Sequence, residues 1–309
     1  MSGPPPAAEP GTSADPALAA LAEEVGGPDA GPVIPLGGGT QWPVADVAAL
    51  PGRVVRAPAG IVSLVPAEMT VRVRAGTTVA ILSTALAEHG QMVPLDPEDP
   101  SRATVGGVLA EGSSGVRRLR YGPVRDTLLE ARFVSADGAL VKAGGPVVKN
   151  VSGFDLCRLL VGSKGTLGVL AEVVLRVQPT PPTTRWLMGR ADPFEVRRAL
   201  FRPSAVLWDG NVTWVLLEGH PDDVTAEAAV LGRGFVDVGA APALPAGRLS
   251  VRPDEIARHM VDGAVAEVGV GTIHGVEGPA TAPDRVDVHR RVKALFDPTG
   301  RLNPARMVA

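Results

Sequence analysis

Four glycine-rich clusters carry the residue types and spacing that could bind an anionic ligand, and all of them end before residue 170. They are Gly37-Gly38-Gly39-Thr40, Thr104-Val105-Gly106-Gly107, Gly112-Ser113-Ser114-Gly115 and the heptapeptide "GSKGTLG" at residues 162–168. Glycine tolerates positive φ, so successive backbone N–H groups can point at one anion, and the backbone can approach a flat ring closely. A long ligand with a diphosphate and a planar ring system would need several such loops.

Two common phosphate-binding motifs do not fit these clusters. A Walker A loop reads G-x-x-x-x-G-K-[ST] and opens a helix, whereas Lys164 precedes Gly165 and a strand-like apolar run follows. A Rossmann fingerprint needs G-x-G-x-x-G before a helix, and "GGGTQWPVAD" has neither the spacing nor the helix. Each cluster taken alone is more often a flexible turn than a phosphate loop. Four in one domain favour a bound ligand, although their spacing does not identify it.

Composition excludes several classes of function. The net charge of −3 and the 4% aromatic content argue against nucleic acid and anionic membranes as partners. The single cysteine, Cys157, excludes an internal disulfide and a cysteine-ligated iron–sulfur cluster held by this chain alone, and it suits a reducing cytoplasm. The histidines lack metal-ligand spacing, so we expect no metal site. No run of eighteen apolar residues predicts a transmembrane helix.

Periodicity predicts an α+β fold whose elements bring these loops together. A disordered tail and a short helix are expected in residues 1–30, followed by a brief strand at Val33 and Ile34 that leads into the triple glycine. "VVRAPAGIVSLVPAEMTVRVRAG" predicts two or three strands. "TTVAILSTALAEHG" predicts a threonine-capped helix with Val79, Leu82 and Leu86 on one face, ended by Gly90.

The remaining half of the sequence divides at "PTPPTT". Before it, strands flank Asp137-Gly138 as a two-residue hairpin turn, "FDLCRLLVG" is a short helix, and "GVLAEVVLRVQP" is a strand with one buried face. After it, we expect a hairpin around Asp209 to Asn211, helices at 222–231 and 253–262, and one strand over "AVAEVGVGTIHG". A terminal helix ends at Asp297-Pro298.

The segment "RRLRYGPVRDTLLEARFVSADGALVKAGGPVVKNVSGFDLCRLLVGSKGTLGVLAEVVLRVQP" resembles the family of FAD-binding subunits of bacterial glycolate oxidase. That family belongs to the vanillyl-alcohol-oxidase-type flavoproteins. The resemblance covers residues 31 to 180 and returns in the terminal "LFDPTGRLNPARM". It implies a two-subdomain PCMH-type FAD-binding domain at 31–180, and a reduced α+β cap domain at 181–309 whose C-terminal helix returns to the FAD domain.

The resemblance also implies which residues contact FAD. The anion bound by the glycine clusters would then be the diphosphate of FAD, with Lys164 at the rim of the site. The resemblance also implies that the cofactor is bound without a covalent link, because Thr40-Gln41 stand where some relatives place a linking histidine. The implied contacts are Gly37, Gly38, Gly39, Thr40 and Gln41 at the diphosphate, Pro94, Leu95, Thr104, Gly106 and Gly107 beside the flavin, Ser113, Ser114, Gly115, Tyr121 and Gly122 in the next loop, and Gly165, Leu167, Gly168 and Val169 at the adenosine half.

A flavin carries hydride chemistry, and oxidation of a 2-hydroxy acid also needs a base for the hydroxyl proton and a cation for the carboxylate. His274 is the base candidate, because related members place a Gly-x-Gly-x-x-His strand over the flavin, and a purely structural hydrogen bond is the alternative. Arg117, Arg118 and Arg120 are either a carboxylate clamp or a solvated basic turn.

The family implies a larger flavoprotein subunit and an iron–sulfur subunit as partners, since this chain has no cluster to take electrons from reduced flavin. We therefore expect an FAD-dependent subunit that oxidises a 2-hydroxy acid such as glycolate, cytoplasmic or peripheral at the inner membrane through its partners. A non-catalytic FAD-binding assembly subunit and a stand-alone flavoenzyme with another alcohol or hydroxy acid as substrate are the alternatives.

Overall fold

The computed structural model describes residues 15–42, 50–145, 155–279 and 283–306. Two sequence predictions, the tail before residue 15 and the "VVKNVSGF" part of the family block, lie outside these ranges. Within them, no helix is long and apolar enough to cross a membrane. The α-helices are α1 Pro16–Val25, α2 Val79–Ala87, α3 Val105–Glu111, α4 Arg118–Tyr121, α5 Leu156–Leu160, α6 Pro193–Ala199, α7 Pro221–Leu231, α8 Ile256–His259 and α9 Pro283–Phe296.

The chain folds as two compact units that each draw on separate stretches of sequence. The first unit combines the chain up to Ser114, residues 123–179 and the segment after residue 280, and the second combines residues 115–122 and 180–280. Helices α1, α2, α3, α5 and α9 therefore belong to the first unit, and the others to the second.

The first unit contains a five-stranded antiparallel sheet in the order β3-β4-β8-β6-β7, with a parallel pair β1-β2 and a short pair β5-β9 beside it. Its strands are β1 Val33–Pro35, β2 Arg53–Val55, β3 Ile61–Val65, β4 Thr70–Arg74, β5 Gln91–Met92, β6 Leu128–Val134, β7 Leu140–Gly144, β8 Val169–Arg176 and β9 Gln178–Pro179. The segment predicted to hold two or three strands contains three, β2 to β4.

Two apolar clusters hold this unit together. The larger one packs α2, α3 and α5 against the sheet, and it includes Val79, Leu82 and Leu86 of α2 as predicted. Thr78 caps α2 by accepting a hydrogen bond from Ile81 N. The smaller cluster joins α1 to β1, β2 and one end of β8. Burial of these apolar faces, more than local propensity, is what fixes such short helices.

The central strand β8 was predicted to have one buried face, and that prediction was wrong because both faces are buried. Glu172, on the face expected to be exposed, is 2% exposed. It is paired with Arg72 at 3.0 Å and with Arg132 at 3.6 Å, and Arg72 also reaches the buried Glu130 at 2.8 Å. Charges buried at a sheet centre need such partners, so the polar positions of β8 indicate cross-strand ion pairs rather than solvent exposure.

The β6–β7 hairpin forms as predicted, but its turn is longer than two residues. Ser135 N donates to Ala139 O, and Gly138 N donates to Ser135 O at 3.1 Å. Gly138 has φ +83°, so the loop is a three-residue turn with a left-handed glycine rather than a two-residue turn at Asp137-Gly138.

The second unit is built on a seven-stranded sheet in the order β13-β10-β12-β11-β15-β16-β14, with antiparallel pairing throughout. Its strands are β10 Thr183–Gly189, β11 Ala205–Trp208, β12 Thr213–Gly219, β13 Phe235–Val238, β14 Arg248–Ser250, β15 Val265–Glu267 and β16 Thr272–His274. The predicted hairpin at residues 209–211 joins β11 to β12. The segment "AVAEVGVGTIHG" forms two paired strands rather than one, because Gly269 and Gly271 take φ of +88° and +89° between them.

Candidate functional site

The first unit contains a cleft of about 160 Å³ whose lining is dominated by glycine and alanine. Pockets for drug-sized ligands hold roughly 300–1,000 Å³, so this cleft would enclose only part of a dinucleotide. Its glycines come from three of the four clusters and from the end of β4: Gly37, Gly76, Gly106, Gly107, Gly165 and Gly168. Small residues expose backbone groups and leave room for a flat ring to lie against them.

Strand ends place these residues around the cleft. The chain passes from β1 through Leu36 into Gly37, from β2 through Arg56 into Ala57, and from β4 through Ala75 into Gly76. Residues 168–170 at the start of β8 and the first turn of α3 complete the lining. Residues at the ends of four strands therefore line the cleft.

Gly37 and Gly106 lie so close to neighbouring residues that a side chain at either position would clash. A Cβ on Gly37 would lie 2.4 Å from Thr104 Oγ1, and one on Gly106 would lie 2.7 Å from Ala75 Cβ. Thr104 Oγ1 is itself engaged, since it caps α3 by accepting from Gly107 N at 3.1 Å. A Cβ on Gly107, by contrast, would meet only Thr104 Oγ1 within 4 Å, at 3.0 Å.

The turn at Lys164-Gly165 forms one side of the cleft and has an unusual backbone. Both residues are left-handed, with φ of +53° and +71°. For lysine this conformation is strained, and surrounding contacts must hold it. Lys164 N donates to Ala110 O at 2.8 Å, and Lys164 O accepts from Asn303 Nδ2 at 2.5 Å. Lys164, expected at the rim, is part of the lining.

Charge in the lining is positive. Among the described residues the lining includes two cationic residues, Arg56 and Lys164, and no acidic one. Arg56 Nη1 donates to Gly37 O at 2.5 Å, which ties the cation to the triple-glycine loop. Two cations among small residues suit an anionic linker between planar groups. The lining therefore fits part of a dinucleotide such as FAD.

The structure brings some of the predicted FAD contacts together at this cleft and places others elsewhere. Those in the lining are Gly37, Thr104, Gly106, Gly107, Gly165, Gly168 and Val169. Those in the first unit but outside the lining are Gly38, Gly39, Thr40, Gln41, Pro94, Leu95, Ser113, Ser114 and Leu167. Gly115, Tyr121 and Gly122 belong to the second unit. Leu95 and Leu167 are buried in the apolar core.

Sequence reasoning missed Arg56, Ala57, Ala75 and Gly76 as lining residues. The available signal was positional: in "VVRAPAG" and "VRVRAGT" an arginine or small residue directly follows an alternating apolar strand. Residues just beyond strand ends often carry binding groups, because the sheet holds them rigidly while their side chains remain accessible.

His274, the predicted base, lies in β16 of the second unit and is 7% exposed. Its Nε2 is 2.8 Å from Glu267 Oε1 of the neighbouring strand β15. A carboxylate only accepts, so the imidazole donates this bond and is held in one orientation. Arg248 Nη2 lies 3.7 Å from the same carboxylate oxygen. His274 and Arg248 thus lie on the same oxygen of the buried Glu267 side chain.

The basic turn at residues 117–120 is also in the second unit, and two of its arginines bind a single glutamate. Arg117 Nε donates to Glu218 Oε1 at 2.9 Å, and Arg120 donates to the carbonyl oxygen of Glu218. Burial, together with the Glu218 charge, raises the pKa of Tyr121 above its ordinary value, so the phenol stays neutral. These contacts anchor the turn to β12.

Cys157 lies in α5, buried against the sheet at 4% exposure. Burial raises the pKa of its thiol to about 12, with a smaller contribution from the negative charge of Asp155. The thiol therefore behaves as a small apolar side chain, as its position in the sequence indicates.

Comparison with known proteins identifies the class to which this cleft belongs. Residues 28–144 match the protein-family model described as "FAD binding domain". The matched residues contain β1 to β4, α3 and most of the cleft lining. Residues 28–144 are therefore similar to FAD-binding domains, the cofactor is FAD, and the resemblance seen in the sequence is confirmed.

More particularly, the chain is similar to glycolate oxidase subunit GlcE of Escherichia coli (strain K12), at 37% identity over 58% of this chain and 53% of that protein. Glycolate oxidase subunit GlcD of Bacillus subtilis (strain 168) is 36% identical over 39% of this chain and 26% of that protein. D-lactate dehydrogenase of Archaeoglobus fulgidus is 43% identical over 34% and 24%. The match thus spans about half of GlcE and about a quarter of the other two.

Solved structures support the fold at lower sequence similarity. Two structures of alkyldihydroxyacetonephosphate synthase match with TM-scores of 0.63 and 0.64, each at 17% identity. They cover 88% and 93% of this chain, and 71% and 72% of the matched chains. The mixed α and β architecture of this chain is therefore shared with these solved structures.

Proposed function

We propose that this chain is an FAD-binding subunit of a multi-subunit oxidoreductase that oxidises a 2-hydroxy acid such as glycolate. The observation that carries the proposal is the glycine-lined, cationic cleft within the matched FAD-binding domain. The names of the relatives suggest the substrate class, because glycolate and D-lactate are both 2-hydroxy acids.

In this proposal the residues of the first unit hold the cofactor. Arg56 and Lys164 neutralise the diphosphate, with the Gly37-to-Gln41 loop beside them, and the glycine and alanine surfaces accept the planar groups. Binding is non-covalent, since Thr40-Gln41 offer no nucleophile of the linking type. When bound, the flavin accepts a hydride from the carbon that bears the substrate hydroxyl.

The protein must also take the hydroxyl proton, and His274 is the residue proposed for that role. Its Nε2 donates to Glu267, so its Nδ1 is the nitrogen that could accept a proton. Glu267 then fixes the tautomer and stabilises the imidazolium that results. We further propose that a larger flavoprotein subunit and an iron–sulfur subunit take part, in the cytoplasm or at the inner membrane through those partners.

The test is the visible absorption spectrum of the purified chain before and after anaerobic addition of glycolate or D-lactate. A bound flavin that bleaches supports catalysis by this chain, and a bound flavin that bleaches only after partner subunits are added supports the complex. A folded chain that takes up no FAD would overturn the proposal.

Arg56→Met should raise the dissociation constant of FAD about tenfold or more, whereas Arg125→Met, which changes a half-exposed arginine outside the cleft, should not.

A second candidate is a non-catalytic FAD-binding assembly subunit. It is favoured by the burial of His274 and its bond to Glu267, which a purely structural role would also explain. Gly106→Trp would block the cleft. Full turnover by a complex that contains this variant would support the second candidate, and lost turnover in an assembled complex would support the first.

A further inference from the structure

The C-terminal segment at residues 297–306 contacts several parts of the first unit that line the FAD cleft. We call this segment the C-terminal clasp. It follows α9, and its loop is held by Asp297, whose carboxylate accepts from Leu302 N at 2.7 Å and from Arg301 N at 3.1 Å. Lys293 of α9 donates to the same carboxylate at 2.5 Å. The clasp thus has a fixed conformation of its own.

The clasp pairs with β1, the strand that leads into the triple-glycine loop. Val33 N donates to Arg301 O at 2.8 Å, and Asn303 N donates to Val33 O at 2.7 Å. Arg301 donates to Val25 O, Gly26 O and Gly31 O around the end of α1. These bonds fix the side of the cleft formed by β1.

On the other side, the clasp reaches the left-handed turn at Lys164-Gly165. Asn303 Nδ2 donates to Lys164 O at 2.5 Å, and Lys293 Nζ donates to Thr166 O at 2.7 Å. Asn303 is 2% exposed and is itself left-handed, with φ +45°, a conformation that asparagine tolerates better than most residues.

At its end, the clasp also contacts α3 and the glycine loop. Arg306 donates to both carboxylate oxygens of Glu111, the last residue of α3, at 2.7 and 3.1 Å. Its guanidinium lies 5.0 Å from the ring centroid of Trp42, which follows the triple-glycine loop. One short segment therefore bonds to β1, to the Lys164 turn and to α3.

We propose that Asn303 is a positioning residue for FAD: by binding Lys164 O it holds the left-handed Lys164-Gly165 turn in the conformation that shapes the cleft. The proposal rests on FAD occupying that cleft. It assigns a role in shaping the cofactor site to a residue that lies 139 positions after Lys164 in the sequence. A lysine with a left-handed backbone is strained, so the turn needs a bond of this kind to hold its conformation.

The test compares Asn303→Gly with Asn303→Gln in the full-length chain, using fluorescence titration with FAD. Glycine keeps the left-handed backbone and removes the amide, so we expect the dissociation constant of FAD to rise about tenfold. Glutamine retains an amide donor, so Asn303→Gln should bind FAD more tightly than Asn303→Gly and less tightly than the wild type. The matched control is Asn211→Gly, at an exposed hairpin residue of the second unit, which should bind FAD as wild type does.

A double-mutant cycle separates positioning from general damage. Lys164→Gly removes the strain at position 164, so Asn303→Gly should cost much less in that background, with about a threefold loss or smaller. Equal losses in both backgrounds, or unchanged FAD binding by Asn303→Gly, would overturn the positioning role. A wild-type chain that binds no FAD would instead overturn the cleft assignment on which the role depends, so the two failures are distinguishable.

Discussion

Glu267 and His274 sit opposite each other on neighbouring strands, with 2.8 Å between Oε1 and Nε2, and both side chains are nearly inaccessible to water. The arrangement fixes which imidazole nitrogen carries the proton that faces Glu267. It is compatible with a base whose other nitrogen receives a proton, and also with a structural cross-strand bond. Mutational analysis separates these two roles.

If His274 is the base, His274→Ala should lower turnover by the assembled enzyme about 100-fold or more, with its FAD content unchanged. Glu267→Gln keeps the size of the side chain and a hydrogen-bond acceptor but removes the charge, so a smaller loss of about tenfold is expected. Steady-state kinetics with 2-hydroxy acids measure both. His259→Ala, at an exposed histidine of the same unit, is the control. Wild-type turnover by His274→Ala would assign the pair a structural role.

The adjacent glycines of α3 should respond differently to alanine. At Gly107 the new methyl group meets only Thr104 Oγ1, and alanine favours a helix interior, so we expect the free energy of unfolding to change by less than about 1 kcal/mol. The same methyl group enters the cleft lining, so FAD binding should weaken about tenfold.

Gly106→Ala is the matched comparison. Its Cβ would lie 2.7 Å from Ala75 Cβ and 3.0 Å from Ala75 O, so overpacking should lower the free energy of unfolding by about 1–3 kcal/mol. Chemical denaturation of the apoproteins and titration with FAD give the two quantities separately. Equal unfolding losses at both positions would contradict the difference in packing between the two glycines, and unchanged FAD binding by Gly107→Ala would mean that Gly107 does not face the cleft.

Much of this organisation could be predicted from the sequence, because it depends on local patterns. The cap and buried face of α2, the β6–β7 hairpin and the glycine clusters all follow from short-range rules. The burial of Glu172 could not, since it depends on Arg72 and Arg132 from two other strands. For the same reason no local pattern connects Asn303 with the Lys164-Gly165 turn, because Lys164 is near only after folding.

The buried pair of Lys293 and Asp297 predicts a pH-dependent contribution to stability. Burial opposes ionisation of Asp297, but hydrogen bonds from Lys293 and from Leu302 N outweigh it, so its pKa lies below the ordinary value of 3.8. A carboxyl group with a lowered folded-state pKa stabilises the fold fully above pH 3.8, and the contribution is lost as the pH falls through the folded-state pKa.

Asp297→Asn should therefore lower the free energy of unfolding by about 3 kcal/mol at pH 7, because it leaves Lys293 buried without its counter-charge. The difference between variant and wild type should shrink as the pH falls below 3.8, because Asp297 becomes protonated first in the unfolded chain and then, at its lowered pKa, in the folded protein. Urea denaturation at pH 7 and at pH 3 measures both values. Asp287→Asn, an exposed carboxylate of α9, should show little effect at either pH. If the difference in the free energy of unfolding between Asp297→Asn and wild type stays constant across this range, the variant is destabilised by lost hydrogen bonds rather than by the lost charge.

Cys157 should be unreactive in the folded protein. Its thiol has a pKa raised to about 12 by burial, so at pH 8 almost none is present as thiolate, the form that reacts with disulfide reagents. Because the chain has one cysteine, labelling with a chromogenic disulfide reports on this site alone. We expect negligible labelling of the native protein and one equivalent in denaturant.

Below the denaturation midpoint, the labelling rate should follow the population of molecules in which α5 has detached from β6 and β7. If labelling is fast without denaturant and FAD slows it, α5 opens in the apoprotein and its packing is coupled to the cofactor cleft.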